Sequence, residues 1–95
     1  MDETAVKVII LKTDKVLVGK LVELPPEDVI LGDPDHVLID PVSYDENADL
    51  DKCMVRYPSR RLTSDIQFYI RSDDVFFVTT PDTKLLAEYL VTIAD

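Results

Sequence analysis

The residues best suited to chemistry in this chain are arginines, and they are concentrated in one stretch. Residues 52–71 contain five basic residues and one acidic residue, a net charge of +4, which leaves −13 for the rest of a chain whose total is −9. The arginines are Arg56, Arg60, Arg61 and Arg71. Because a guanidinium binds phosphate and stacks on bases, this asymmetry predicts a basic patch that steers anions to one side of an acidic body. The alternative is that these arginines lie in exposed turns, solvated or ion-paired.

Residues for nucleophilic or acid–base catalysis are scarce. His36 is the only histidine and Cys53 the only cysteine, and neither lies in a pattern that couples it to a base and an orienting acid. We expect structural roles for both and no enzymatic activity. A single cysteine also excludes an intrachain disulfide and a paired-cysteine zinc site, which is typical of a reducing compartment.

The acidic segment 44–51 offers oxygen ligands at the spacing of a calcium loop that begins at Asp45. The glycine required at the sixth position is Leu50, and the bidentate glutamate required at the twelfth is Arg56. We therefore predict a solvated loop without a metal ion. With two glycines in the whole chain there is no glycine-rich phosphate loop either, and no cofactor is expected.

The elements that must position these residues are mainly strands. Residues 5–11 and 15–24 are apolar on both faces, which indicates burial on two sides. Gly19, inside the second segment, indicates a sharp bend or the close approach of another backbone. A tight turn at residues 72–74 predicts a hairpin between the last two strands. The remaining strands are expected over residues 28–32, 36–42, 52–57, 65–71 and 75–79.

One helix is predicted over residues 81–93, after all the strands. Thr80 would be its N-cap, Pro81 its first residue and Asp82 a favourable charge in its first turn. Its apolar stripe consists of Leu85, Leu86, Tyr89, Leu90 and Ile93. We expect the stripe to pack on the sheet, and the alternative is an amphipathic helix that binds a partner.

Length and composition favour one soluble domain over residues 1–95. The chain is 46% hydrophobic, as globular proteins are. No run approaches the roughly 18–20 apolar residues of a membrane span, and the N-terminus is acidic where a signal peptide is basic. We therefore expect a cytoplasmic protein that does not enter a membrane.

Two segments resemble the signatures of Sm and Sm-like proteins. Residues 70–75, Ile-Arg-Ser-Asp-Asp-Val, follow the second signature, hydrophobic-Arg-Gly-x-x-hydrophobic, with Ser72 in place of the usual glycine. Residues 8–11 and 16–21 resemble the first signature, in which a glycine bends the second strand two residues before a hydrophobic one. The family's Asp-x-hydrophobic-Asn loop has no counterpart at residues 24–29, which argues against base recognition of the usual kind.

The chain is also similar to the small Sm-like proteins encoded by tailed marine cyanophages. The similarity lies in residues 18–21 and 29–34, in the pair Tyr57-Pro58, and in an ending with Pro81, Leu85 and Tyr89. In that group the helix follows the strands. A phage-encoded protein of this kind would act in the cytoplasm of the bacterial host.

The resemblance implies a small, strongly bent, five-stranded antiparallel Sm-like barrel with a C-terminal α-helix. The edges of its last two strands would pair with neighbouring copies and close a homo-oligomeric ring, in that family commonly of about five to seven subunits. Arg71 would then repeat around the pore and contact single-stranded RNA or DNA, with Ser72 donating from the same turn. A basic rim would be formed by Arg56, Arg60 and Arg61.

Two alternatives to this function remain open at the level of sequence. Arg71 would be occupied if it formed an intersubunit ion pair with an acidic neighbour such as Asp73 or Asp74. The second alternative, independent of the first, is a protein-interaction or scaffold ring that uses its acidic body to hold a protein partner and binds no nucleic acid.

Overall fold

The computed structural model describes residues 6–25, 27, 30, 33–48, 53–59 and 61–94. Six strands are followed by one helix, and a single turn of 3-10 helix, Ser72–Asp74, separates the last two strands. The elements are β1 (Val6–Leu11), β2 (Val16–Glu23), β3 (His36–Tyr44), β4 (Met54–Arg56), β5 (Gln67–Ile70), β6 (Val75–Thr79) and α1 (Thr83–Ala94). The predicted strand at residues 28–32 falls mostly on residues outside the described part.

The strands form one antiparallel sheet in the order β4-β3-β2-β1-β6, and β5 pairs with β3 beside β4. The mainly β class, the antiparallel sheet and the C-terminal helix are therefore confirmed. Over the part of the chain that the structure describes, the sheet is open and has six strands instead of the five expected for a barrel.

The sixth strand arises because the outer edge of β3 is shared by two short strands. β5 pairs with its first half and β4 with its second half. Between them lie Asp40, which has a φ of 51°, and Pro41, which has no backbone N–H to donate to a ladder. The edge changes partner at these two residues. The Asp40 N–H donates to the Ile66 carbonyl just before β5, and the Pro41 carbonyl accepts from the Tyr57 N–H just after β4, so one long partner strand is replaced by two.

The last two strands do not form the predicted hairpin. β5 pairs with β3 and β6 pairs with β1, and within the described residues no ladder joins β5 to β6. The tight turn at residues 72–74 is present. The strand before it pairs on the β3 side of the sheet, and the strand after it pairs on the β1 side. Local turn chemistry predicts that a chain reverses and does not decide with which strand each arm pairs.

Of the two predictions for Gly19, the close approach of another backbone is confirmed. The register of β2 against β3 shifts between Val18 and Lys20, so that Gly19 alone faces Asp40 and Pro41. A Cβ atom at Gly19 would lie 2.9 Å from Leu38 Cδ1 and 3.3 Å from the carbonyl oxygen of Ile39. Glycine is therefore favoured by the close approach of β3 at this bulge, since a larger residue would require Leu38 to shift.

Hydrophobic clusters cover both faces of the sheet, as the two apolar faces of β1 and β2 predict. On the helix side the buried residues are Val6, Val18, Val42, Met54 and Tyr89. On the opposite side they are Ile9, Leu17 and Leu38. The alternation of Val6 and Ile9 between the two clusters follows the period of a strand that is buried on both faces.

The helix packs its apolar stripe on the sheet, as predicted. Tyr89 is fully buried, and Leu85, Leu86, Leu90 and Ile93 pack around it. The helix begins at Thr83 and not at Pro81, because its first intrahelical bond runs from the Leu86 N–H to the Asp82 carbonyl. This places Asp82 in the N-cap position, where aspartate is at least as favourable as threonine.

Candidate nucleic-acid interface

The turn between β5 and β6 presents Arg71 at the surface. Its side chain is 45% exposed, and Nη2 lies 3.2 Å from Oδ2 of Asp73, which is 76% exposed. This ion pair lies within one chain, whereas the sequence alternative placed such a pair between subunits. An exposed pair of this kind contributes at most about 1 kcal/mol, so a phosphate can compete with Asp73 for the guanidinium.

Ser72 is held from the side by Asp35, which is 37 residues earlier in the chain. The Ser72 backbone N–H donates to Asp35 Oδ1 at 2.8 Å, and the Ser72 hydroxyl donates to Oδ2. His36 Nδ1 lies 2.9 Å from the same Oδ1. The one hydroxyl proton of Ser72, predicted to donate to nucleic acid, is thus directed to Asp35.

The hydrogen bonds at Asp35 have an electrostatic consequence. The Ser72 hydroxyl contributes most and His36 adds to it, and together they hold the pKa of the Asp35 carboxyl well below its usual range. Asp35 therefore remains an anion that fixes the Arg71–Ser72 turn against the start of β3. Because Asp35 binds Ser72, its negative charge lies close to the neighbouring residue Arg71. It adds to the negative potential around the Arg71 guanidinium.

The backbone conformation at Ser72 explains why serine can stand where the signature usually has glycine. Among the described residues other than glycine, only Asp14 and Asp40 have positive φ angles. Ser72 begins a 3-10 turn with ordinary φ, so the freedom of glycine is not required there. The serine side chain instead supplies the bond to Asp35.

Arg56 serves to hold the helix. Its Nη2 donates to the carbonyl oxygen of Ile93 at 2.8 Å, and its Nη1 lies 3.4 Å from Asp40 Oδ1. Lys20 Nζ lies 3.7 Å from the other Asp40 oxygen. These contacts occupy a side chain that is 20% exposed, so the guanidinium predicted for a basic rim is used at the C-terminal end of α1.

The other predicted rim residues are placed differently. Arg61 is exposed in a turn, where its backbone N–H donates to the Ser59 hydroxyl at 3.2 Å. Arg60 lies outside the described residues. Among the described residues, the contacts of Arg56 and Arg61 are with partners other than Arg71.

Two residues that organise this region were missed in the sequence. Asp35 and Asp40 each accept from partners far along the chain, and nothing local in the sequence separates them from the many other aspartates. For Asp40 the following proline is a weak signal, because proline restricts the residue before it and often marks a bulge.

The free sides of β5 and β6 carry large apolar residues. Tyr69 on β5 and Phe76 on β6 are each 68% exposed, and Phe77 packs edge-on against Phe76 with ring centroids 5.3 Å apart. Each of these strands has one partner strand among the described residues. Unpaired edges that carry exposed aromatic residues are suited to pairing with another chain.

Cys53, His36 and the described part of the acidic segment make contacts within the fold. Cys53 packs against the helix-side cluster, and His36 pairs with Asp35. Asp45 Oδ1 accepts from the Asn47 N–H at 3.0 Å, which is the geometry of an Asx turn. Within the described residues no three histidine, cysteine or carboxylate side chains are arranged to hold a metal ion.

The architecture defines a small mainly β protein whose C-terminal helix covers one face of an antiparallel sheet. No helix within the described residues is long and apolar enough to cross a membrane. The chain belongs to a family described as "Family of unknown function (DUF6561)", whose model matches residues 4–94. No curated protein matches the chain.

Proposed function

We propose that this chain is an Sm-like subunit of a homo-oligomeric ring that binds single-stranded RNA or DNA through Arg71. The observation that carries the proposal is the path of the last two strands. β5 and β6 are joined by one short turn, pair with different strands, and each has its other edge unpaired within the described residues. That is the arrangement through which Sm-like subunits join.

Ring closure follows from placing two such edges on one subunit. β5 of one copy adds to β6 of the next, which is a heterologous contact that closes when the rotation between copies divides a full turn. The exposed Tyr69 and Phe76 become buried at that contact. The six-stranded open sheet of one chain then continues into the sheet of its neighbour, which removes the unpaired edges.

The nucleic-acid role rests on the position of Arg71 in the turn between the two joining strands. Closure repeats this turn once per subunit, so the guanidinium groups surround a shared channel. Arg71 has donors beyond the one that contacts Asp73, and its exposed plane is suited to stacking on an unpaired base. Binding is expected to weaken as salt increases, because phosphate contacts release counterions.

Solution mass tests the ring. Wild-type protein should sediment as a closed oligomer, and Phe76→Lys should shift it toward monomer because a charge would enter the contact. The matched control is Val91→Lys, which places the same charge on an exposed apolar site of α1. A wild-type monomer, or equal dissociation of both variants, would contradict the ring.

Binding of labelled single-stranded oligonucleotides tests the role of Arg71. Arg71→Ala should weaken binding, and Asp73→Asn should strengthen it because the competing carboxylate is removed. The control Lys84→Ala removes an exposed charge on α1 and should change affinity little. A ring that binds no oligonucleotide at low salt would favour the scaffold function, for which the net charge of −9 is the supporting observation.

A further inference from the structure

We propose that the groove between the β1–β2 turn, the turn at residues 45–47 and the first turn of α1 binds a basic amphipathic peptide segment of a protein partner. None of the described residues that line this groove belongs to the Arg71 turn, and the proposal does not depend on ring formation or on nucleic-acid binding. It rests on the shape of the groove, the apolar residues on its floor and the charge of its rim.

The groove exists because α1 covers only part of the sheet. The C-terminal half of the helix lies on the sheet, where Tyr89 contacts the bulge of β3 and Arg56 binds the Ile93 carbonyl. Beyond the first turn of the helix, Ile10 and Val16 continue the same sheet face and are only partly buried. The result is a cavity of about 540 Å³ that is open to solvent.

The floor of the groove is apolar. Val8, Ile10 and Val16 supply it from the sheet, Tyr44 from the end of β3, and Leu85 from the helix. The volume is within the range of ligand-binding clefts and accommodates a few side chains. Burial of large apolar side chains here would extend the helix-side cluster, to which Val8, Tyr44 and Leu85 already belong.

The rim of the groove is acidic. Its charged residues are Asp14, Asp45, Glu46 and Asp82, and among the described residues that line the groove none carries a positive charge. Lys15 belongs to the same hairpin but is directed elsewhere, with Nζ 4.5 Å from the centre of the Tyr57 ring. The N-terminus of α1 offsets only about half a charge, so the groove remains strongly negative.

Local turns fix two of the rim carboxylates, Asp14 and Asp45, at the edge of the groove. Asp14 has a φ of 69° at the tip of the β1–β2 turn, and its N–H donates to the Leu11 carbonyl at 2.9 Å. Asp45 is fixed by the Asx turn to Asn47. Carboxylates that line the same groove as an apolar floor complement a segment in which basic residues alternate with large apolar ones.

Other occupants fit less well. The described carboxylates do not form a group able to hold a metal ion, and a nucleic acid would be repelled by the rim. A free polyamine would pair with the carboxylates but has no large side chain to cover the floor. A peptide with lysine or arginine beside leucine fits both the acidic rim and the apolar floor. The long basic side chains reach the rim while their stems lie on apolar surface, and leucine covers the floor.

Fluorescence anisotropy with a labelled short peptide of alternating lysine and leucine tests this proposal. The peptide should bind the wild-type protein, and a lysine–serine peptide and a glutamate–leucine peptide should bind much more weakly. Asp14→Asn combined with Glu46→Gln should weaken binding about fivefold. Both changes are conservative, since asparagine tolerates the positive φ at position 14 and Glu46 lies in an exposed turn.

The matched control combines Asp65→Asn with Glu88→Gln, two exposed carboxylates outside the groove. It changes the net charge equally and should leave the affinity unchanged. Val16→Thr, which keeps the volume of the floor but makes it polar, should also weaken binding while the protein remains folded by circular dichroism. Equal losses in both double variants, equal binding of the lysine–serine peptide, equally effective competition by spermidine, or no binding would overturn the proposal.

Discussion

The hydroxyl of Tyr89 donates to the backbone carbonyl of Asp40 at 2.9 Å, and this contact ties the helix to the point where the sheet bends. The same Asp40 pairs through its carboxylate with Lys20 and Arg56. One residue at the bulge of β3 is therefore bound to the helix, to β2 and to β4.

Removal of the Tyr89 hydroxyl should destabilise the protein. Tyr89→Phe leaves the ring in the core but leaves the Asp40 carbonyl with one donor fewer, at a cost of about 1 kcal/mol in the free energy of unfolding. Urea denaturation measures the difference. The control is Tyr69→Phe on the exposed part of β5, which should change stability little, and equal effects of the two substitutions would contradict the role of the Tyr89 contact.

The contribution of Tyr89 to stability should be lost at alkaline pH. Burial, with a further effect from Asp40, raises the pKa of Tyr89 above that of a solvated tyrosine. The unfolded chain ionises its tyrosine near pH 10 and the folded chain only above that, so the contribution is full below about pH 10 and is lost as pH rises further. Stability should fall less steeply above pH 10 in Tyr89→Phe than in wild type.

Gly19→Ala should be destabilising by about 1–2 kcal/mol, because the new methyl group would approach Leu38 Cδ1 and the Ile39 carbonyl. Leu38 can move more easily than the backbone. In a Leu38→Val background the cost of Gly19→Ala should therefore be smaller, and a double-mutant cycle from thermal melts measures this coupling. Additive effects would mean that the methyl group does not meet Leu38.

The Asp35–Ser72 contact predicts a dependence of stability on acid pH. Because the folded state lowers the pKa of Asp35, its contribution is full above the ordinary pKa of about 3.9 and is lost as pH falls below it. Ser72→Ala removes the hydroxyl hydrogen bond that contributes most to the lowered pKa of Asp35. The difference in stability between wild type and Ser72→Ala should shrink between about pH 4 and pH 2.

A different pH profile would argue against this contact. If wild type and Ser72→Ala lost stability in parallel throughout the acid range, the hydroxyl would not be bonded to an ionised Asp35. The chemical shift of the Asp35 carboxyl carbon, followed by NMR, reports the same titration directly and is independent of global unfolding.

Arg56→Ala should destabilise the protein by about 1–3 kcal/mol, because the guanidinium donates to the Ile93 carbonyl and pairs with Asp40. Arg56→Lys should restore little of this loss, because a single ammonium group does not have the two separate nitrogens with which the guanidinium contacts the Ile93 carbonyl and Asp40. Exchange of the amide hydrogens of α1 should increase in both variants. Unchanged exchange would mean that Arg56 does not hold the helix.

The sequence was sufficient for features that depend on local pattern. The apolar residues on both faces of β1 correctly predicted burial on two sides, and Gly19 correctly marked the close approach of another strand. The stripe that contains Tyr89 correctly predicted a helix packed on the sheet. In each case the period or residue type is imposed by neighbours along one element.

Features that depend on distant partners could not be predicted in this way. Nothing near Ser72 indicates that Asp35 will bind it, and nothing near Arg56 indicates that its guanidinium will reach the end of the helix. The hairpin prediction failed for the same reason, because a turn at residues 72–74 is compatible with two arms that pair elsewhere. The Asp40 bulge likewise requires β2 and β3 to be already aligned.

One three-residue turn is the covalent link between strands that pair on opposite sides of β2. β5, before the turn, pairs with β3, and β6, after it, pairs with β1. The Ser72 N–H donates to Asp35 at 2.8 Å and the Lys12 N–H donates to the Asp74 carbonyl at 3.0 Å, so the link is anchored at both of its ends. A substitution in this turn is therefore expected to affect both borders of the sheet.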